Sequence, residues 1–248
     1  MIGGFNLVGF DNFIEDLEQM PASITAKDVD YTQLFKDCIV NEAIDAQKLQ
    51  DGIFPVNENY DIFISHSHND EKLAIKLKNW IEARLGMTCF LDKEIWGSGD
   101  KILSQIDRLC WKPDRKVYDY NERNLTTSYV HVMLCNALMQ AMDNCKFVFF
   151  LTTPSSITPE SAHDSPQTHS TWLFYELSVL KYIQKEPGRI RKSFSRGRES
   201  LQEDIQNIMN YPAVDLTALP ELTFADLVDL SNLDEGVCFE TLLNRLGV

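Results

Sequence analysis

The sequence predicts an α/β fold, a parallel sheet with helices on both faces, preceded by an N-terminal helical extension. Three observations predict it. Strand-like and helix-like segments alternate from Tyr60 onward, which is the pattern of βαβ units. The run "KFVFFLT" is almost wholly apolar, as a strand covered on both faces must be. The chain has 248 residues, 44% hydrophobic and 24% charged, enough to bury one full core.

Residues 1–57 read as the helical extension. Phe13, Ile14 and Leu17 fall at helical spacing in "DNFIEDLEQM". Leu34, Cys38, Ile39 and Ile44 do so in "YTQLFKDCIVNEAIDAQKLQ". Gly52 and Pro55 then punctuate the chain before a domain over 58–248. "YDIFIS" is a strand, mostly apolar and β-rich. "HSHND" breaks it, and Asn69 or Asp70 caps the next helix. That helix turns Leu73, Leu77, Trp80, Ile81 and Leu85 inward and stops at Gly86. "MTCFLD" is the second strand. "KEIWGSGD" is a loop in which Gly97 and Gly99 supply unusual backbone angles. Asp100 caps a helix over "KILSQIDRLC".

"WKPDRKVYDYNERNLTT" is a polar connector. A helix follows, with Val130, Met133, Leu134, Ala137, Leu138 and Ala141 at its period. After the strand "KFVFFLT" comes the loop "PSSITPESAHDSPQTH". The helix "STWLFYELSVL" is capped by Ser170. "PGRIRKSFSRGRES" is a basic loop, "LQEDIQNIMN" a helix and "AVDLT" the last strand. Short helices around "FADLVDL" and "CFETLLNRL" close the chain.

The formal net charge is −14. An acidic surface repels phosphate backbones, so nucleic acid is not an expected partner. No apolar run approaches the ~20 residues that cross a membrane, and the opening "MIGGFNLVGF" lacks the basic region of a signal peptide. The six cysteines include no C-x-x-C pair, and several lie in apolar segments. They read as buried reduced thiols of a cytoplasmic protein rather than as a zinc site.

In a parallel sheet, ligands sit beyond the carboxyl ends of the strands. That directs attention to "SHSHND", "DKEIWGSGD" and whatever follows "KFVFFLT". Trp172 and Glu176, at i and i+4, share one helix face beside the stripe of Leu173, Leu177 and Leu180. An indole and a carboxylate at a pocket rim can hold a flat aromatic group and a sugar together. Spacing alone favours the plainer reading, an exposed glutamate beside a half-buried tryptophan. His66 and His68 have the spacing of metal ligands but lack partners other than Asp70, so no metal is expected. Ser65 and Ser67 at the strand end would instead bond a ligand. The loop carries no established phosphate-binding pattern, although Gly97, Gly99 and the following helix start suit an anion. Trp96 there either folds over a ligand or is an ordinary surface aromatic. Arg189, Arg191, Lys192, Arg196 and Arg198 read as a solvated face. No G-x-S-x-G elbow accompanies the serines and histidines, which argues against a triad hydrolase.

Taken together, "YDIFISHSHNDEKLAIKLKNWIEARLGMTCFLD", the loop "KEIWGSGD" and the later S-x-W-x-x-x-E resemble a TIR domain of the bacterial kind. The resemblance covers about residues 60 to 183. Residues 110–127 and 154–169 look like insertions relative to a minimal member. It implies a flavodoxin-like sheet and an NAD+-cleaving activity at the nicotinamide–ribose bond. Glu176 would be the catalytic residue. Ser65, His66, Ser67, Asp92, Lys93, Trp96, Gly97, Gly99 and Trp172 would bind the substrate, with Lys93 or Lys101 offsetting pyrophosphate charge. NAD+ would be a substrate, with no further cofactor. The product would be ADP-ribose, a cyclic form or a conjugate, sensed by a separate effector in antiphage defence of the Thoeris kind. Self-association is also implied. A non-catalytic TIR adaptor is the competing class, and a deoxyribosyl-transferring enzyme a third.

Overall fold

Five short strands divide their side chains between two helical layers, because successive strand residues point to opposite faces. The computed structural model describes residues 3–10, 14–23, 29–40, 43–56, 59–97, 99–158, 167–168, 170–183 and 216–247. The strands are β1 (Gly3–Leu7), β2 (Ile62–Ser65), β3 (Cys89–Phe90), β4 (Phe147–Leu151) and β5 (Glu221–Leu222). They lie in the order β5-β1-β4-β2-β3, and every pairing is parallel. The helices are α1 (Glu15–Glu18), α2 (Tyr31–Asp37), α3 (Ala46–Ile53), α4 (Glu71–Leu85) and α5 (Asp92–Trp96). After these come α6 (Gly99–Asp107), α7 (Tyr120–Asn144), α8 (Thr171–Ile183), α9 (Phe224–Ser231) and α10 (Glu235–Leu246).

One core joins Phe63, Val148 and Phe150 of the sheet to residues of α2, α3, α6, α7 and α8. The other joins Phe5, Ile62, Ile64, Phe147 and Phe149 to residues of α1, α4, α9 and α10. The α/β expectation with both faces covered therefore holds. The strands β3-β2-β4 reproduce the first three places of a flavodoxin-like order, but the next place is taken by β1, from the start of the chain.

That strand corrects the reading of 1–57 as a helical extension. Gly3–Leu7 is fully buried and pairs with both β4 and β5. Its two glycines weaken a strand by local preference, and leucine side chains fill the space beside them. A Cβ on Gly4 would meet Leu180 of α8 at 2.7 Å, and one on Gly3 would meet Leu246 of α10 at 2.9 Å. Gly4→Val is expected to lower stability by about 1–3 kcal/mol, read from thermal or urea melts, because it overpacks the α8 contact.

The other described residues of 1–57 belong to the same body. Tyr31 N–H donates to Gln105 Oε1 at 2.9 Å, and its hydroxyl donates to Trp96 O at 3.1 Å. "YTQLFKDCIVNEAIDAQKLQ" is not one helix: α2 ends at Asp37, Ile39–Val40 pairs antiparallel with Ala43–Ile44, and Asp45 caps α3. Gly52 lies inside α3 rather than at a boundary.

Other elements also differ from the sequence reading. "KEIWGSGD" is not an open loop, since Asp92–Trp96 is helical and α6 has begun by Gly99. Asp100 therefore sits in a first turn, not before it. The polar connector holds an antiparallel pair, Trp111–Lys112 with Val117–Tyr118, and α7 starts at Tyr120 under an Asp119 cap. Ile157–Thr158 pairs with Gln167–Thr168 in the second expected insertion. The last strand is Glu221–Leu222, while Leu216 and Thr217 of "AVDLT" are not extended pairs. The helix expected over 201–210 and the basic run 189–198 lie outside the described residues.

Gly86 takes the left-handed conformation that ends α4, at φ 68°, as expected. None of the six cysteines forms a disulfide, and five are buried. Burial raises the Cys145 thiol to about 12 and Cys89 well above its ordinary value, so neither is a ready nucleophile. Among the described residues no helix is long and apolar enough to cross a membrane.

Candidate active site

β2 ends at Ser65, at the carboxyl rim of the sheet, and α8 passes over that end. Ser170 Oγ accepts from the Leu173 N–H at 3.2 Å, which starts α8 as the sequence suggested. The stripe of Leu173, Leu177 and Leu180 is buried against the sheet. Glu176 follows that stripe inward instead of facing water. It is 5% exposed, and Ser65 Oγ donates a hydrogen bond to its Oε2. The plainer reading of an exposed glutamate is thereby corrected. The cause is the helical period: Glu176 is adjacent to Leu173, Leu177 and Leu180 on the cylinder and lies over the β2 end.

A cleft of about 320 Å³ opens beside this pair. Glu176, Trp172, His66, Asp92, Lys93, Trp96 and Gly97 all line it, so seven of the expected residues are brought together. Ser65 joins them through Glu176. Two do not join. Ser67 turns away and donates to Asp70 Oδ2 at 2.5 Å, facing a neighbouring cleft of about 290 Å³. Gly99 sits in the first turn of α6 and is not part of the lining. Lys101, further along α6, is likewise outside it.

Trp96 is not a mobile cover. It is 3% exposed, packs edge-on against Phe54 and Phe90, and its indole N–H donates to Pro55 O at 2.9 Å. It forms the cleft wall as part of the core. Trp96→Phe keeps an aromatic ring but leaves a void in the core and strands the Pro55 carbonyl. It is expected to cost about 1–2 kcal/mol in a denaturant melt.

The electrostatics of the cleft are acidic. Burial pushes the Glu176 carboxyl from an ordinary 4.5 up to about 8; the Ser65 hydrogen bond offsets part of this, and the charge of Asp92 adds to it. Lys93 Nζ stands 3.3 Å from Glu71 Oε2, so its charge is shared with another lining carboxylate. Among the described residues no three His, Cys, Asp or Glu side chains gather as a metal ion would need.

Sequence reasoning passed over Glu71, Phe54 and the α7 contribution, Val130, His131, Leu134 and Leu138. Val130, Leu134 and Leu138 were legible as an inward stripe, but not that a cleft opens above them. His131 meets Trp172 edge-on, ring centroids 5.6 Å apart and planes at 71°. Only the α7–α8 packing makes that pair.

This arrangement can hold a flat ring against Trp172, place a carboxyl group beside a sugar, and favour a positive charge between them. No family model matches this chain, and neither a curated protein nor a solved structure matches it.

Proposed function

We propose that this protein cleaves the nicotinamide–ribose bond of NAD+, with Glu176 as the catalytic residue. The observation that carries the reading is a buried glutamate, held by the last serine of β2, lining a cleft at the carboxyl rim of the sheet. The resemblance to TIR domains noted in the sequence points the same way.

The chemistry suits the residues. The bond between ribose C1′ and the pyridinium nitrogen breaks, and its electron pair goes to that nitrogen. Nicotinamide leaves neutral, so no acid is needed to protonate it. The sugar passes through an oxocarbenium-like state, as in glycoside cleavage. A carboxylate beside the ribose stabilises that cation, and more strongly where water is excluded. An acceptor then bonds to C1′ and loses a proton. Water yields ADP-ribose; an adenine or hydroxyl group of the same molecule yields a cyclic product.

The acidic lining supports a cationic ligand half. A pyridinium entering beside Glu176 favours its ionised form, drawing the carboxyl back toward the charged state that the reaction needs. Lys93, tied to Glu71, is a weaker candidate for the pyrophosphate than its position in the sequence suggested. The test is nicotinamide release from NAD+ by the purified chain, with the products resolved by mass spectrometry. Release that is equal in the unchanged chain and in Glu176→Ala would remove the reading. Absence of release by the unchanged chain would leave a scaffold as the better account.

A further inference from the structure

Asp70 occupies the position from which a side chain caps α4, yet it makes no capping bond. A cap there would stabilise the helix start, and the carboxylate forgoes it. Instead Asp70 Oδ2 accepts from Ser67 Oγ at 2.5 Å and from Thr153 Oγ1 at 2.7 Å. Thr153 stands two residues beyond β4. This one oxygen therefore ties the carboxyl end of β2 to that of β4.

The chain of bonds continues. Thr153 N–H donates to Ser156 Oγ at 2.8 Å, and Ser156 N–H donates back to Thr153 Oγ1 at 3.3 Å. Thr168 Oγ1 donates to Ser156 O at 2.8 Å and accepts from the Ser170 N–H at 3.1 Å. Ser170 Oγ then accepts from Leu173 N–H, in the first turn of α8. Glu176 is three residues further, and its Ser65 bond returns to β2, two residues before Ser67. The path is a closed ring. Ser67, Asp70, Thr153, Ser156 and Thr168 are all at least nine-tenths buried. Buried polar side chains are costly unless bonded, so this group is either fully made or a fault in the core.

We propose that Asp70 and Thr153 are positioning residues that hold α8 over the β2 end and so set the place of Glu176 in the cleft. Neither is itself a lining residue of the main cleft. They act through the ring, which clamps both partners of the Ser65–Glu176 contact to one rim. Loosening it lets the α8 start move and water reach the carboxyl group. The proposal rests on Glu176 being the working group of the site. Its first readout needs no substrate.

The experiment is a carboxyl-carbon NMR titration of Glu176 in the unchanged chain, Thr153→Val, Thr153→Ser and Asp70→Ala. Thr153→Val and Asp70→Ala are expected to lower the Glu176 midpoint by about one pH unit or more, toward an ordinary carboxyl, as solvent enters. Thr153→Ser keeps the hydroxyl and is expected to keep the midpoint. If nicotinamide release is found, the same two variants should lose roughly tenfold to a hundredfold in kcat, the cost of a misplaced group, with KM changed far less. A midpoint that stays in place while only the melting temperature falls would show a purely structural network and overturn the proposal. Should Asp70→Ala fail to fold, Thr168→Val cuts the ring at its far side and carries the same expectation. Absence of nicotinamide release in every protein, with the midpoint shifts present, would reject the NAD+ reading and leave the positioning role standing.

Discussion

Glu176→Gln is expected to lower nicotinamide release from NAD+ by about 10²–10³-fold, the usual cost of removing one group aimed at developing charge. Glutamine keeps the shape of the side chain and can still accept from Ser65 Oγ. It removes only the capacity for negative charge. The loss should fall on kcat, because the charge on the sugar exists in the transition state and not in the bound substrate. Folding should survive. A neutral amide in a buried site avoids the penalty that ionised Glu176 carries, so the variant should melt no lower than the unchanged chain above pH 8. Steady-state kinetics together with a melt at that pH check both halves. A variant as active as the unchanged chain would exclude Glu176 from the chemistry.

The second large effect is a pair of opposed pH slopes from one proton. The Glu176 carboxyl titrates near 8 in the folded chain against an ordinary 4.5. Between those values the native state holds the proton and the unfolded state does not. Stability is therefore fully present below about 4.5, falls as pH rises and levels off above about 8. The slope reaches at most about 1.4 kcal/mol per pH unit within the window. Urea melts across that range should show the fall, and Glu176→Gln should flatten it. Asp226 works in the opposite sense and elsewhere. Its hydrogen bonds with Thr223 and its pairing with Arg245 hold it at about 2, below an ordinary 3.8, so its contribution is lost only as pH falls between those values.

Activity should run against stability. The proposed cleavage needs the ionised carboxylate, so kcat/KM should climb with pH and flatten above about 8, the value for the free protein. The midpoint for kcat should be lower, because the pyridinium charge of the bound substrate favours the carboxylate. Ser65→Ala removes the hydrogen bond that favours the charged form, and it should move the kcat/KM midpoint upward. A rate flat across this range would detach the carboxyl group from the rate-limiting chemistry.

Local sequence carried much of the fold because helix and strand periods are local properties. The stripe of α4, its Gly86 stop, the Ser170 cap and the apolar run of β4 could each be read within a window of about ten residues. Where the reading failed, a distant partner had overridden local preference. "GGFNL" does not look like a central strand. It becomes one because Leu180 and Leu246 close over its glycines and β4 and β5 bond both its edges. Asp70 looks like a helix cap, and becomes a clamp because Thr153 arrives from 83 residues away.

The sequence by itself determined the α/β class, the strand-end serines and the spacing of Trp172 and Glu176 along one helix. Those follow from periodicity and from which residue types suit a covered strand or a helix start. Only the tertiary structure decided that Glu176 is buried, that Ser65 meets it across 111 residues, and that His131 closes on Trp172. Burial, and with it the raised carboxyl, is set by what packs on all sides of a group. No short stretch of chain holds that information.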